Sequence, residues 1–367
     1  MKAPAEAPAA CPPGVARVGI ATDVVQWQRL HGRHGLPWQG TSEPYRIWLS
    51  EVMLQQTQVA TVLPYFDAFV AAFPTVADLA AAPIDQVMSL WSGLGYYSRA
   101  RNLHAAARQV MEQHGGRFPG TADGLATLPG VGRSTAAAIA AFAFGERAAI
   151  LDGNVKRVFC RVFGVDGHPG SASVLRRLWS HAQAELPAAG PADSAIRAYT
   201  QGLMDLGATL CTRTRPACGR CPLEARCLAR REDAVHRYPA PRPRREVPVR
   251  EVEMLLLCNR QSVLIERRPP VGIWGGLWSL PEMAAGLDLP DLPSAPFMRF
   301  EHAFTHFRMK AQVWRLDLDE VQAQAALREA PAVRWLALGD AAAAPLPRPV
   351  KSLLQFLVPG SALPGLG

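Results

Sequence analysis

Four cysteines crowd into 17 residues as Cys211-x6-Cys218-x2-Cys221-x5-Cys227, and no other feature of the 367-residue sequence limits the fold as tightly. Four thiols at such short spacing are poorly explained as an intracellular disulfide framework and well explained as ligands of an inorganic centre. Four thiolates hold either zinc or an iron–sulfur cluster, and the spacing alone leaves both open. A zinc site more often uses two Cys-x-x-Cys pairs, and only one is present here. Cys11, Cys160 and Cys258 read as ordinary residues.

With 49% hydrophobic and 19% charged residues the chain is too apolar and too weakly charged for extensive disorder, and its length suggests two or three domains. Its most apolar run, Ala136 to Phe144, is far shorter than the roughly 18 residues of a membrane span. The Pro/Ala-rich N-terminus lacks the apolar core of a signal peptide, so residues 1–20 read as a flexible tail on a cytoplasmic protein. The net charge of +8 only hints at a polyanionic partner. Of the 39 basic residues only Lys2, Lys156, Lys310 and Lys351 are lysines, a bias that fits either genome composition or phosphate contact.

Residues 21–230 carry helical periodicity throughout. Pro44 starts a helix expected over Tyr45 to Thr57, Thr75 starts another, and a third over Leu103 to Val110 ends at Gly115-Gly116. The stretch from Arg226 to Arg250 holds eight Arg and four Pro, which predicts an extended linker, placed at 231–250. Beyond it the period changes to two. Met254–Leu257 and Ser262–Arg267 read as a hairpin, Trp314–Asp319 as a strand and Val350–Leu357 as a closing helix, giving a smaller α+β domain over 251–358 before a tail at 359–367.

Three segments carry chemistry. In Leu128-Pro129-Gly130-Val131-Gly132-Arg133-Ser134, paired glycines allow a tight turn that presents backbone N–H groups at a helix N-terminus, where a phosphate can sit. In Leu151-Asp152-Gly153-Asn154-Val155-Lys156-Arg157, Asp152 can cap the next helix, stabilise a cationic sugar, or both. In the Ser50-Glu51-Val52-Met53-Leu54-Gln55-Gln56-Thr57 stretch, Glu51 sits among apolar neighbours that would raise its pKa and suit it to general-acid work.

Taken in order, SEVMLQQTQVATV, WSGLGYYSRARNL, LPGVGRSTAAAI, LDGNVKRV and the cysteine pattern resemble the adenine DNA glycosylases of MutY type, within the helix-hairpin-helix DNA glycosylase superfamily. The resemblance covers residues from about 25 to 230. It implies a mainly α fold with a six-helix barrel at about 44–145, a cluster-bearing subdomain formed by 21–43 with 146–230, and a [4Fe-4S] cluster on Cys211, Cys218, Cys221 and Cys227. Arg267 to Trp278 resembles the start of the Nudix-like domain in that family, and no Arg-Glu-x-x-Glu-Glu segment follows, so the domain is expected to recognise rather than hydrolyse.

The resemblance further implies that the chain removes adenine mispaired with 8-oxoguanine or guanine in double-stranded DNA, acting as a monomer in base excision repair. Glu51 would protonate adenine, Asp152 would stabilise the oxocarbenium-like sugar, and Asn154 would support that geometry. Trp38, Leu54, Val59, Ser134 and Gln201 would line the adenine pocket. Gln56, Thr57, Leu94, Tyr96, Gly130, Gly132 and Arg133 would meet DNA, while Phe304, Thr305 and His306 would read 8-oxoguanine, with Thr305 departing from the family's serine. Ser134 stands where the related endonuclease III has a nucleophilic lysine, so water is expected as the nucleophile. The rival readings are an endonuclease III-like lyase, disfavoured by Ser134 and the extra domain, and a non-catalytic DNA-binding module, disfavoured by the presence of both Glu51 and Asp152.

Overall fold

A computed structural model describes residues 19–188, 193–242, 246–283, 291–304, 306–329 and 332–358. The expected tails at 1–20 and 359–367 fall almost wholly outside these residues, as do Cys11 and Thr305. The chain divides into two compact units. One comprises Met1–Ser42, Gly120–Asp123 and Arg133–Arg242, the other Glu43–Pro119, Gly124–Gly132 and Pro243–Gly367.

The first unit is helical, with Ala21–His31, Gly153–Val162, Ala172–Ala184 and Asp193–Asp205 around a core that includes Val24, Phe159, Leu178, Tyr199 and Leu203. Gly202 lets the first and last of these helices approach closely, because a Cβ there would meet Val24 Cγ1 at 2.7 Å and Val24 O at 3.1 Å. The Arg133–Ile139 helix continues as a π turn over Ala140–Phe144 and stops at Gly145 (φ 70°). The linker begins later than its composition suggests. Ala229, Ala234 and Tyr238 are buried in the core, so ordered turns run to residue 238 before the chain extends.

In the second unit, Pro44–Met53 starts with Pro at the first turn and Glu43 accepting from the Tyr45 and Arg46 N–H groups. Val76–Ala81 has a full capping box between Thr75 and Asp78, and Ser98–His114 ends at Gly115 in the left-handed conformation. The first of these helices stops at Met53 rather than at Thr57. Gln56 there has φ 58°, which breaks the helical path.

The C-terminal part of this unit is a six-stranded sheet. Strands β1 (Val249–Asn259) and β2 (Ser262–Arg267) form the expected hairpin. They are followed by β3 (Trp278–Ser279), β4 (Met298–Ala303), β5 (Arg308–Asp317) and β6 (Val333–Ala337). The order is β3-β2-β1-β5-β4, with β1 parallel to β5 and β6 pairing with β2. Arg348–Phe356 is the closing helix. Asp85 on the Ile84–Trp91 helix ties the sheet domain to the helices, accepting from Arg267 Nη2 at 2.8 Å and Trp278 Nε1 at 3.1 Å. No described helix is long and apolar enough to cross a membrane.

Candidate active site

Asp152 stands at the N-terminus of the Gly153–Val162 helix, and its carboxylate accepts from the Val155 N–H at 2.7 Å. Burial pushes this carboxyl above the ordinary Asp range, while the backbone donors of Val155 and Asn154 and the charges of Arg157 and Lys156 pull the other way. Asp152 is therefore the helix cap that the sequence allowed, placed where ionisation carries a cost. The backbone leading into it is held by Ser134, whose hydroxyl accepts from the Leu151 N–H at 2.8 Å.

Asn154 is fixed by Arg157, whose Nη2 donates to Asn154 Oδ1 at 2.8 Å and to Gly207 O at 2.6 Å, while its Nε reaches Cys211 O at 2.7 Å. One guanidinium thus joins the Asp152 loop to the first cysteine. Gln201 donates to Asp205 Oδ1 at 2.9 Å. Asp205 is fully buried and also accepts from Arg33 N at 2.9 Å and Nε at 2.7 Å. Trp38 is buried at 7% exposure. Arg133 is exposed and its guanidinium lies 3.8 Å from the centre of the Trp179 ring.

The four cysteines wall one cavity together with Val158, Leu210 and Leu223. None of the described cysteines is in a disulfide. Arg161, 2% exposed, braces this loop: Nη1 donates to Cys211 Sγ at 3.2 Å and Thr212 O at 2.7 Å, Nη2 to Arg213 O at 3.2 Å, and Nε to Tyr238 O at 3.0 Å. Burial, reinforced by the neighbouring cysteines, pushes the Cys221 thiol up to about 12 and raises Cys227 as well. Held as thiolates, the four would need a positively charged centre between them. Among the described residues no group of three or more His, Cys, Asp or Glu side chains is placed to hold a metal ion. Four soft sulfurs around one apolar cavity are the donor set that thiolate-bound zinc and iron–sulfur centres use.

In the second unit Glu51 occupies the last turn of the Pro44–Met53 helix and is half-buried, beside the buried Ser50 and Val52. Leu54 and Val59, half-buried, follow at the helix end and at the start of the Val59–Ala72 helix. Gln56 is exposed and Thr57 half-buried. Tyr96 is 44% exposed with φ 48°, whereas Leu94 is 5% exposed, so that Leu94 offers this loop backbone rather than side chain. Tyr97 is half-buried and its hydroxyl accepts from the Gly93 N–H at 3.3 Å. Gly130 has φ 77°, and a Cβ on it would meet Asn102 Cβ at 2.8 Å, so only glycine makes this turn. Gly132 is exposed, with open space where a Cβ would project.

Phe304 stacks on Phe307 at 4.5 Å and meets His302 edge-on at 4.6 Å, with Trp274 alongside. A cavity opens between this cluster and the 93–98 loop, lined by Tyr96, Tyr97, Arg101, Trp274, His302 and Phe304 among others. His306 is exposed, and Thr305 lies outside the described residues.

The profile of the HhH-GPD superfamily of base excision DNA repair proteins matches residues 49–183. Adenine DNA glycosylase of Homo sapiens is 47% identical over 207 residues, which is 54% of this chain and 37% of the human protein's length. Adenine DNA glycosylase of Buchnera aphidicola (subspecies Baizongia pistaciae) is 34% identical over 267 residues, covering 72% of this chain and 74% of that protein. The chain belongs to the adenine DNA glycosylase family. Adenine DNA glycosylases are base excision repair hydrolases acting on N-glycosyl bonds. The helical fold is shared with a thermostable thymine-DNA glycosylase of known structure, at 28% identity and a TM-score of 0.51 over 58% of this chain and 95% of that one. A NUDIX domain profile matches residues 253–356, the sheet domain that adds to the helical part of this family member.

Proposed function

We propose that this protein hydrolyses the N-glycosidic bond of adenine paired with 8-oxoguanine or guanine in duplex DNA, as a monomer, and leaves an abasic site. The observation that carries the mispair reading is the cavity shared by Tyr96 and Phe304. The sequence resemblance assigns Tyr96 to DNA contact and Phe304 to 8-oxoguanine, and the two lie in different parts of the chain. Adenine leaves the stack at a cost of a few kcal/mol. Glu51 then donates a proton to adenine N7 as the C1′–N9 bond breaks, and Asp152 as carboxylate stabilises the cationic sugar until water adds. Arg157 and Ser134 hold Asn154 and the backbone before Asp152 in place for that step. Cys211, Cys218, Cys221 and Cys227 would hold a [4Fe-4S] cluster, whose chemistry is to cross-link this loop through four thiolates.

The test incubates purified protein with duplexes carrying adenine opposite 8-oxoguanine, guanine or thymine, and scores abasic sites separately from strand breaks. Abasic sites opposite 8-oxoguanine and guanine, with none opposite thymine, are expected; equal excision from all three removes the mispair reading. Phe304→Ala is expected to lower the preference for 8-oxoguanine over guanine by about tenfold, the loss that follows when an aromatic stacking partner is truncated. An unchanged ratio of single-turnover rates would count against the role of the sheet domain.

Water as nucleophile makes a second prediction. Ser134 has no amine, and its hydroxyl is occupied by the Leu151 N–H. Borohydride is expected to trap no efficient covalent adduct between protein and DNA, as read on a denaturing gel. Efficient trapping would mean a lyase.

A further inference from the structure

Arg99 is 7% exposed, at the start of the Ser98–His114 helix, and its guanidinium spans two separate loops. Nη1 donates to Val52 O at 3.1 Å, Met53 O at 2.7 Å and Gln55 O at 2.8 Å. Nη2 donates to Thr57 Oγ1 at 3.1 Å, Leu94 O at 3.3 Å and Gly95 O at 3.2 Å. The cation also lies 5.2 Å from the Trp91 ring centre and 5.5 Å from that of Tyr96.

These six acceptors are five carbonyls and a hydroxyl, with no carboxylate among them. A charge buried on dipoles and ring faces is an expensive device for stability alone. What it holds explains its presence. Gln56 (φ 58°) and Tyr96 (φ 48°) are both non-glycine residues in the left-handed region, a conformation that persists only where the surroundings impose it. Each lies in one of the loops that Arg99 grips.

We propose that Arg99 is a positioning residue that locks the 54–57 and 93–97 loops into one preformed wedge, from which Gln56 and Tyr96 enter the duplex to expel adenine. The proposal rests on the reading that these loops meet DNA. It demands arginine specifically. A lysine keeps the charge but has three donors on one nitrogen and cannot span both loops with a planar fork.

Arg99→Lys tests this with two readouts. The first, amide hydrogen exchange without DNA, is expected to rise in 54–57 and 93–97 together while the core of the Ser98–His114 helix stays protected. Unchanged exchange, or a rise confined to one loop, overturns the lock. The second uses 2-aminopurine in place of the target adenine opposite 8-oxoguanine. Binding is expected to persist while the fluorescence gain of the extruded base is lost, with excision of adenine falling about a hundredfold, the scale of an ångström-level misplacement. A full fluorescence gain overturns the wedge role even if excision falls. Should Arg99→Lys fail to fold, Thr57→Val removes a single acceptor and is expected to speed exchange in 93–97, a loop to which Thr57 does not belong; no change there refutes coupling through Arg99. Wild-type excision of adenine tests the functional reading by itself, and the exchange arm needs no DNA, so the two failures are told apart.

Discussion

Glu51→Gln is expected to lower the single-turnover rate of adenine excision by about 10²–10⁴-fold, the contribution of a positioned general acid. Binding to the mismatched duplex should be retained. Gln matches Glu in shape and hydrogen-bonding reach but has no proton to give to the leaving base. The local structure favours a clean result: Glu51 is only half-buried, and the carbonyls of Val52 and Met53 beside it accept from Arg99. A rate loss without a loss of affinity assigns the residue to chemistry. An undiminished rate removes Glu51 as the acid, and a loss of binding in step with the rate makes it a structural residue of the helix end.

Local signals in the sequence announced several helix boundaries. Pro44, the Thr75 capping box and the Gly115 terminus act within one turn of themselves, and the structure uses each as expected. The hairpin of β1 and β2 was equally legible from its two apolar runs, and the structure closes it over Arg260 and Gln261, with Asn259 paired to Ser262. The end of the Pro44–Met53 helix was not, because Gln56 is held out of helical conformation by a side chain more than forty positions away.

The same reason hid Arg99, Arg157 and Arg161. An arginine on a helix reads as a solvated cation, yet these three turn inward, and their partners are mostly backbone carbonyls, which carry no mark in a sequence. The buried Asp205, which takes three hydrogen bonds, was missed likewise, since Arg33 lies far from it along the chain. The excess of arginine over lysine gains a structural meaning from this. A fork of five donors on three nitrogens can gather several loop carbonyls at once, whereas an ammonium carries its three donors on a single nitrogen.

Asp152→Asn is expected to slow excision by about 10²–10³-fold while leaving the fold at least as stable at neutral pH. A preorganised charge facing a developing cation is worth about 10²–10³-fold in rate, and a neutral amide does not replace it. Stability runs the other way. Burial raises the folded-state pKa of Asp152 above its unfolded value, so the stability linked to its proton is fully present below the unfolded pKa and is lost as pH rises through the folded one. At neutral pH the carboxylate therefore weighs against the folded state. Asparagine removes that burden and still caps the helix, since its amide oxygen can accept from the Val155 N–H as the carboxylate does. The melting temperature of Asp152→Asn should equal or exceed that of the wild type at pH 7, and the difference should shrink as pH falls through the raised pKa. The wild-type excision rate should fall over the same acidic window, because the sugar cation needs the ionised form. A variant that melts lower at pH 7, or one that keeps wild-type excision, would show that Asp152 serves the helix and not the reaction.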